Sequence, residues 1–114
     1  MQVRKVELFH VAVPLRSSIK HASHERALSD NVIVRVTLDD GQVGHGEGVP
    51  RSYVTGETVA TVFEALGRFD VARWFGRQDT LEEAVRTIAA LELPETADDP
   101  RGCFGNAARC ALEI

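Results

Sequence analysis

The stretch Asn31-Val32-Ile33-Val34-Arg35-Val36-Thr37-Leu38-Asp39-Asp40-Gly41-Gln42-Val43-Gly44-His45-Gly46-Glu47-Gly48-Val49 decides the fold. In its first half Val32, Val34, Val36 and Leu38 fall on one side, and Asn31, Arg35 and Thr37 on the other with Ile33. A period of two is the pattern of a strand with one buried face. Asp39-Asp40-Gly41 then predicts a hairpin turn, because glycine tolerates the positive φ that such turns need. Two registers fit. A two-residue turn at Asp40-Gly41 sets Val36 opposite His45, whereas a three-residue turn with Gly41 as the bulge sets Leu38 opposite Gln42 and Val36 opposite Gly44. We favour the second, which aligns Gly44, Gly46 and Gly48 with the valine face and Arg35 with His45. Alternate glycines on a buried face leave room for a helix to pack closely.

Upstream, Val3 to Val13 is rich in β-branched and aromatic residues and reads as a strand that stops at Pro14. With the hairpin it makes an antiparallel meander with one face to cover. Downstream the period changes. Val59, Val62, Phe63 and Leu66 recur at helical spacing, with Thr55 as cap and Gly67 as stop. Asp70 to Phe75 reads as a short turn or helix, in which Trp74 and Phe75 anchor the helices to the sheet. Thr80 and Glu83 form a capping box opening a helix that carries Leu81, Ala84, Val85, Ile88 and Leu91 and ends by Pro94. After a polar loop from Glu95 to Gly102, Asn106 caps a last helix with Ala107, Cys110, Ala111 and Ile114 on its stripe, and Phe104 packs on it. The expected fold is α+β: a three-stranded antiparallel meander followed by a small helical bundle. The last helix meets no terminator, so the expectation is a chain cut partway through it.

Composition narrows the function classes. The 114 residues fit one domain, and 44% hydrophobic with 26% charged is an ordinary globular mix. A formal net charge of −4 lacks the basic footprint of a nucleic-acid binder. No apolar run approaches a membrane span. Met1 to Lys5 does not read as a signal peptide, so the cytoplasm is the expected location. Cys103 and Cys110 would lie about 10 Å apart on one helix, too far for a disulfide, and read as small buried side chains.

Two segments hold candidate chemistry. Leu15 to Asp30 reads as a long loop without periodicity, and it collects Arg16, Lys20, His21, His24 and Arg26 in an acidic protein. Such a cluster suits an anionic ligand such as a carboxylate. His21 and His24 have metal-binding spacing, but no third ligand accompanies them, so no metal site is assigned. The second segment, Val49 to Gly56, presents Arg51 and Tyr53; arginine grips a carboxylate with two parallel hydrogen bonds. Gly44, Gly46 and Gly48 lie within a strand and do not make a nucleotide loop. His45 and Glu47 share a face and have the residue types of an acid/base pair, but a strand ion pair with Arg35 is the expected role. Ser17, Ser18 and Ser23 neighbour histidines in sequence only, and no hydrolase triad is drawn from them. Asp39, Asp40, Asp98 and Asp99 read as solvated turn and loop carboxylates.

In order, the chain holds Val13-Pro14-Leu15, a long basic segment, Asn31 to Val36, Asp39-Asp40-Gly41, Gly44-His45-Gly46-Glu47, helices, and Asn106-Ala107-Ala108-Arg109-Cys110-Ala111-Leu112-Glu113. This set resembles the N-terminal capping domain of the enolase superfamily, in its mandelate racemase and muconate lactonizing branch, which includes dipeptide epimerases. His45 departs from the pattern, standing where many relatives carry an aromatic. The resemblance implies a following (β/α) barrel that supplies Mg²⁺ ligands and a Lys or His base, which removes a proton α to a carboxylate. Those motifs are absent here: Lys5 and Lys20 are the only lysines, and neither lies in a Lys-x-Lys pattern. The chain alone is therefore expected to bind no metal and to lack activity, with Mg²⁺, a small carboxylate substrate and the chain's own barrel as partners in the parent enzyme. The resemblance makes Ile19, Lys20, His21, His24 and Arg26 one capping loop and Arg51 and Tyr53 the other, with Ile19 and Tyr53 as pocket wall and Lys20, His24 and Arg51 as contacts to an anionic or polar group. The competing reading is an independent module that binds an anionic ligand or a protein partner. On either reading, the open side of the last helix predicts self-association into a homo-oligomer.

Overall fold

The computed structural model describes residues 1–21, 24–93 and 106–113; Ser23, Pro94, the polar loop at 95–102, Cys103, Phe104 and Ile114 lie outside them. Three antiparallel strands, β1 (Val3–His21), β2 (His24–Leu38) and β3 (Val43–Gly48), form one sheet in that order. Four helices follow: α1 (Val59–Arg68), α2 (Val71–Phe75), α3 (Leu81–Ala89) and α4 (Asn106–Glu113). This is the α+β meander and helical bundle expected from the sequence.

The β2–β3 hairpin takes the three-residue turn. Leu38 N–H donates to Gln42 O at 2.8 Å, Gly41 has φ of 89°, and the ladder sets Val36 opposite Gly44 and Arg35 opposite His45. The valine face carries the core, in which Val32 and Val34 pack with Val62 and Leu66 of α1 and with Ala107, Ala108 and Ala111 of α4. The glycine face is in close contact at Gly48 and open at Gly44. A Cβ on Gly48 would lie 2.3 Å from Ala107 O, whereas one on Gly44 would meet nothing within 4 Å.

Several expectations on the helices are corrected. Thr58, not Thr55, caps α1, exchanging hydrogen bonds with Thr61, and the helix runs through Gly67 to Arg68. Gly67 is exposed and makes no close approach, so it costs helix propensity without ending the helix. Asp70 caps α2, whose Trp74 stacks at a tilt on Phe69 and Phe75. The Thr80–Glu83 capping box is formed as expected, but α3 ends at Ala89, before Pro94. Its apolar stripe is only half used: Ala84 is buried, while Leu81 and Val85 are 69% and 56% exposed. On α4 the buried position belongs to Ala108; Cys110 is exposed, its thiol donating to Glu47 O at 3.6 Å.

On the opposite face of the sheet, Arg35 forms a two-pronged pair with Glu7, Nε to Oε1 at 2.9 Å and Nη2 to Oε2 at 2.8 Å, rather than pairing with His45 or Glu47. It also lies over the Phe9 ring at 5.1 Å. The hydrogen bonds from Arg35 hold the Glu7 carboxyl below the usual glutamate range; burial, the next largest effect, opposes them, and the charges of Arg35 and then Lys5 assist. A carboxyl depressed on folding adds stability above its unfolded pKa and loses it as pH falls through the folded value. Asp39, depressed chiefly by the Gln2 N–H, acts in the same acid window. Urea unfolding across that window should therefore show the wild-type chain converging on Glu7→Gln as pH falls and separating from it towards neutrality. A gap that is constant with pH would show that the pair does not carry this linkage.

Candidate functional site

The segment 15–30 is not a loop. β1 does not stop at Pro14 but continues to His21, pairing Pro14 with Leu28, Ile19 with Arg26 and His21 with His24 after a register shift between Pro14 and Ile19. β1 is an edge strand, where a residue without an N–H is tolerated. β3 pairs only with Val32–Thr37 of β2, so beyond Asn31 the sheet narrows to a two-stranded arm. Val11, Val13, Pro14, Arg16 and Leu28 are all exposed along it. Where its side chains are described neither face is buried, and there alternation has no work to do. The arm carries the backbone of Ile19, Lys20, His24 and Arg26; the side chains of residues 17–27 lie outside the described set.

The second segment leaves β3 at Val49. Pro50 is buried, and the N–H groups of Val54 and Thr55 both donate to Arg51 O at 3.0 Å, closing a tight turn that presents a half-buried Tyr53. Gly56 then takes φ of 80°, a conformation side chains resist, and delivers the chain to Glu57 and the α1 cap.

These two segments meet at the root of the arm. Arg51 Nη1 donates to Asp30 O at 3.2 Å and Pro50 O at 2.7 Å, and Nη2 donates to Ser29 Oγ at 2.8 Å. Ser29 Oγ donates to Asn31 Oδ1 at 2.6 Å, and Asn31 Nδ2 donates to Glu47 Oε2 at 3.3 Å. On the side of β1, His10 Nε2 lies 2.9 Å from Asp30 Oδ1. The structure thus brings Arg51 to the arm and turns its guanidinium onto the arm's own root. Ser29, Asp30 and Asn31 were not singled out from the sequence; polar residues beside a strand carry no mark of what they face.

Glu57 was missed as well. Its side chain is 1% exposed, and its two carboxylate oxygens accept from Ala107 N–H at 2.9 Å and Ala108 N–H at 3.1 Å. It caps α4 from the middle of the chain, 50 residues away, and holds the end of the Tyr53 segment against it. Among the described residues, no group of three or more His, Cys, Asp and Glu side chains could hold a metal ion. Among them, too, no helix is long and apolar enough to cross a membrane.

No family model matches the chain. Relatives are nonetheless clear. The chain is 35% identical to the L-Ala-D/L-Glu epimerase of Bacillus subtilis over 58% of its own length and 18% of that protein's. It is 33% identical to the aromatic dipeptide epimerase of Herpetosiphon aurantiacus over 91% of its own length and 26% of that protein's. Among solved structures, it superimposes on the dipeptide epimerase of Methylococcus capsulatus, complexed with Mg and the dipeptide L-Arg-D-Lys, with a TM-score of 0.71 at 28% identity. That match covers 98% of this chain and 29% of the other. The chain thus spans between 18% and 26% of the length of these curated relatives. It is an α+β domain with the fold of the enolase-superfamily N-terminal capping domain. Within that superfamily its relatives are of the mandelate racemase and muconate lactonizing type, dipeptide epimerases among them.

Proposed function

We propose that this chain is the capping domain of a Mg²⁺-dependent enolase-superfamily enzyme that abstracts the α-proton of a carboxylate substrate, with a dipeptide as the favoured substrate class. The observation that carries this reading is the meeting of the arm and the Tyr53 segment at one corner of the sheet, built on a fold shared with dipeptide epimerases over nearly the whole chain. A cap contributes by shaping the pocket and excluding water, while chemistry sits on the covered partner. In this division Tyr53 and Ile19 supply wall. Lys20, His24 and Arg26 bring cationic character to one end of the substrate, and the segment of Arg51 closes the side. In this reading a following barrel supplies the metal ligands and the base.

The test uses a protein in which this chain replaces the corresponding part of the Bacillus subtilis L-Ala-D/L-Glu epimerase, with the 114-residue chain run alone beside it. The readout is Mg²⁺-dependent exchange of dipeptide α-protons in D₂O. We expect exchange by the chimera, with a substrate preference moved away from that of the parent, and none by the chain alone. A cooperatively folded chimera without exchange on any dipeptide would count against the capping role. Exchange by the chain alone would place the reacting groups within it.

A further inference from the structure

The arm changes character at Asn31, where β3 stops pairing and three strands become two. A sheet narrowed in this way loses bending stiffness there, so the root is where the arm can hinge. The polar contacts of this region gather at that level. Arg51 holds Ser29 and Asp30 on β2, His10 on β1 meets Asp30, and Asn31 reaches Glu47 on β3. Arg51 also donates to the carbonyl of its own neighbour Pro50, which is buried, so the guanidinium is braced from the Tyr53 side as well. A guanidinium suits this position because its planar fork of donors fixes direction, which a lysine ammonium on a flexible stem does not.

We propose that Arg51 is a positioning residue that couples the arm to the Tyr53 segment, so that a displacement of either is transmitted to the other. It acts on whatever the cap covers through the arm, not by contact. The coupling is a property of this chain; that the coupled unit selects a substrate rests on the reading proposed above.

Tyr53 is the chain's single tyrosine, so incorporated fluorotyrosine gives one fluorine resonance at the second segment. Ser29→Ala, made at the arm root, should displace that resonance by more than its line width. In an Arg51→Ala background the same Ser29→Ala change should produce no further displacement. Arg51→Lys, which keeps the charge and loses the fork, should behave as Arg51→Ala does. Backbone amide exchange should rise at residues 28–31 in the Arg51 variants while Val32 to Thr37 keeps its protection. Two results would overturn the coupling: a Tyr53 resonance indifferent to Ser29→Ala, or one displaced equally with and without Arg51. Should Arg51→Ala fail to fold, Arg51→Lys decides alone, and unchanged exchange at 28–31 in that variant rejects the proposal. No substrate or metal enters the experiment, so its failure and that of the capping role are separable.

Discussion

Glu57→Ala is expected to lower the unfolding free energy by about 3 kcal/mol or more, because it leaves two buried N–H groups without acceptors at about 1–3 kcal/mol each. The first N–H groups of any helix lack partners within it, and α4 is too short to persist on its own propensity. Glu57 supplies both acceptors at once and sets a carboxylate at the positive end of the helix dipole. Water cannot readily take its place, since the carboxylate is enclosed. In a domain whose total stability is about 5–15 kcal/mol, a loss of this size is a large share. Glu57→Gln should fall between wild type and alanine, as an amide offers one acceptor oxygen and turns a donor towards the second N–H. Urea unfolding gives the size of the effect, and amide exchange gives its place: protection at Ala107 to Glu113 should fall before that of Val32 to Thr37. An alanine variant that unfolds at the wild-type urea concentration, with α4 still protected, would show that the helix is held by its alanine face alone.

The contrast between Glu57 and the hairpin shows what a single sequence makes visible. The register of β2 on β3 could be read because it depends on neighbours: alternating valines, a turn glycine and alternating glycines within one short stretch. The Thr80–Glu83 box was legible for the same reason. Glu57 acts across 50 residues, and in sequence an acid before Thr58 looks like part of the approach to α1. The arm reads as a loop because its described side chains, from Val11 to Pro14 and at Leu28, are exposed on both faces and so write no period. Leu81 and Val85 obey helical spacing faithfully, yet spacing reports a shared face and not whether anything covers it. Cys110 and Ala108 could not be separated, since small side chains on a short helix give little contrast in hydrophobicity. The candidate site followed the same rule. Its two segments were found from their places after strands, but the aim of Arg51 depends on carbonyls and a hydroxyl that every polar segment possesses.

Gly48→Ala should destabilise the chain by about 1–3 kcal/mol or more, at the upper end for an added methyl group, since overpacking costs least where a side chain can move aside. Here the obstruction is backbone: the new Cβ would lie 2.3 Å from Ala107 O and 3.0 Å from Ala111 Cβ, so α4 as a whole must shift. Gly44→Ala, four residues back on the same strand and face, meets nothing within 4 Å and should leave stability unchanged or raise it by about 0.4–1 kcal/mol through a stiffer unfolded chain. Equal effects from the two substitutions would show that α4 does not rest on the glycine face as described. The direction of the forced shift yields a second result. Ala107 is both the residue that Gly48→Ala displaces and one whose N–H Glu57 accepts, so the two sites act on one turn of helix. Once Gly48→Ala has pushed that turn away, the carboxylate has already lost much of its geometry. The double variant Gly48→Ala/Glu57→Ala should therefore lose clearly less than the sum of the two single losses, as expected of substitutions sharing a partner. Strict additivity would mean that α4 has two independent anchors, and that the end of the Tyr53 segment can be held in place after the sheet has let the helix go.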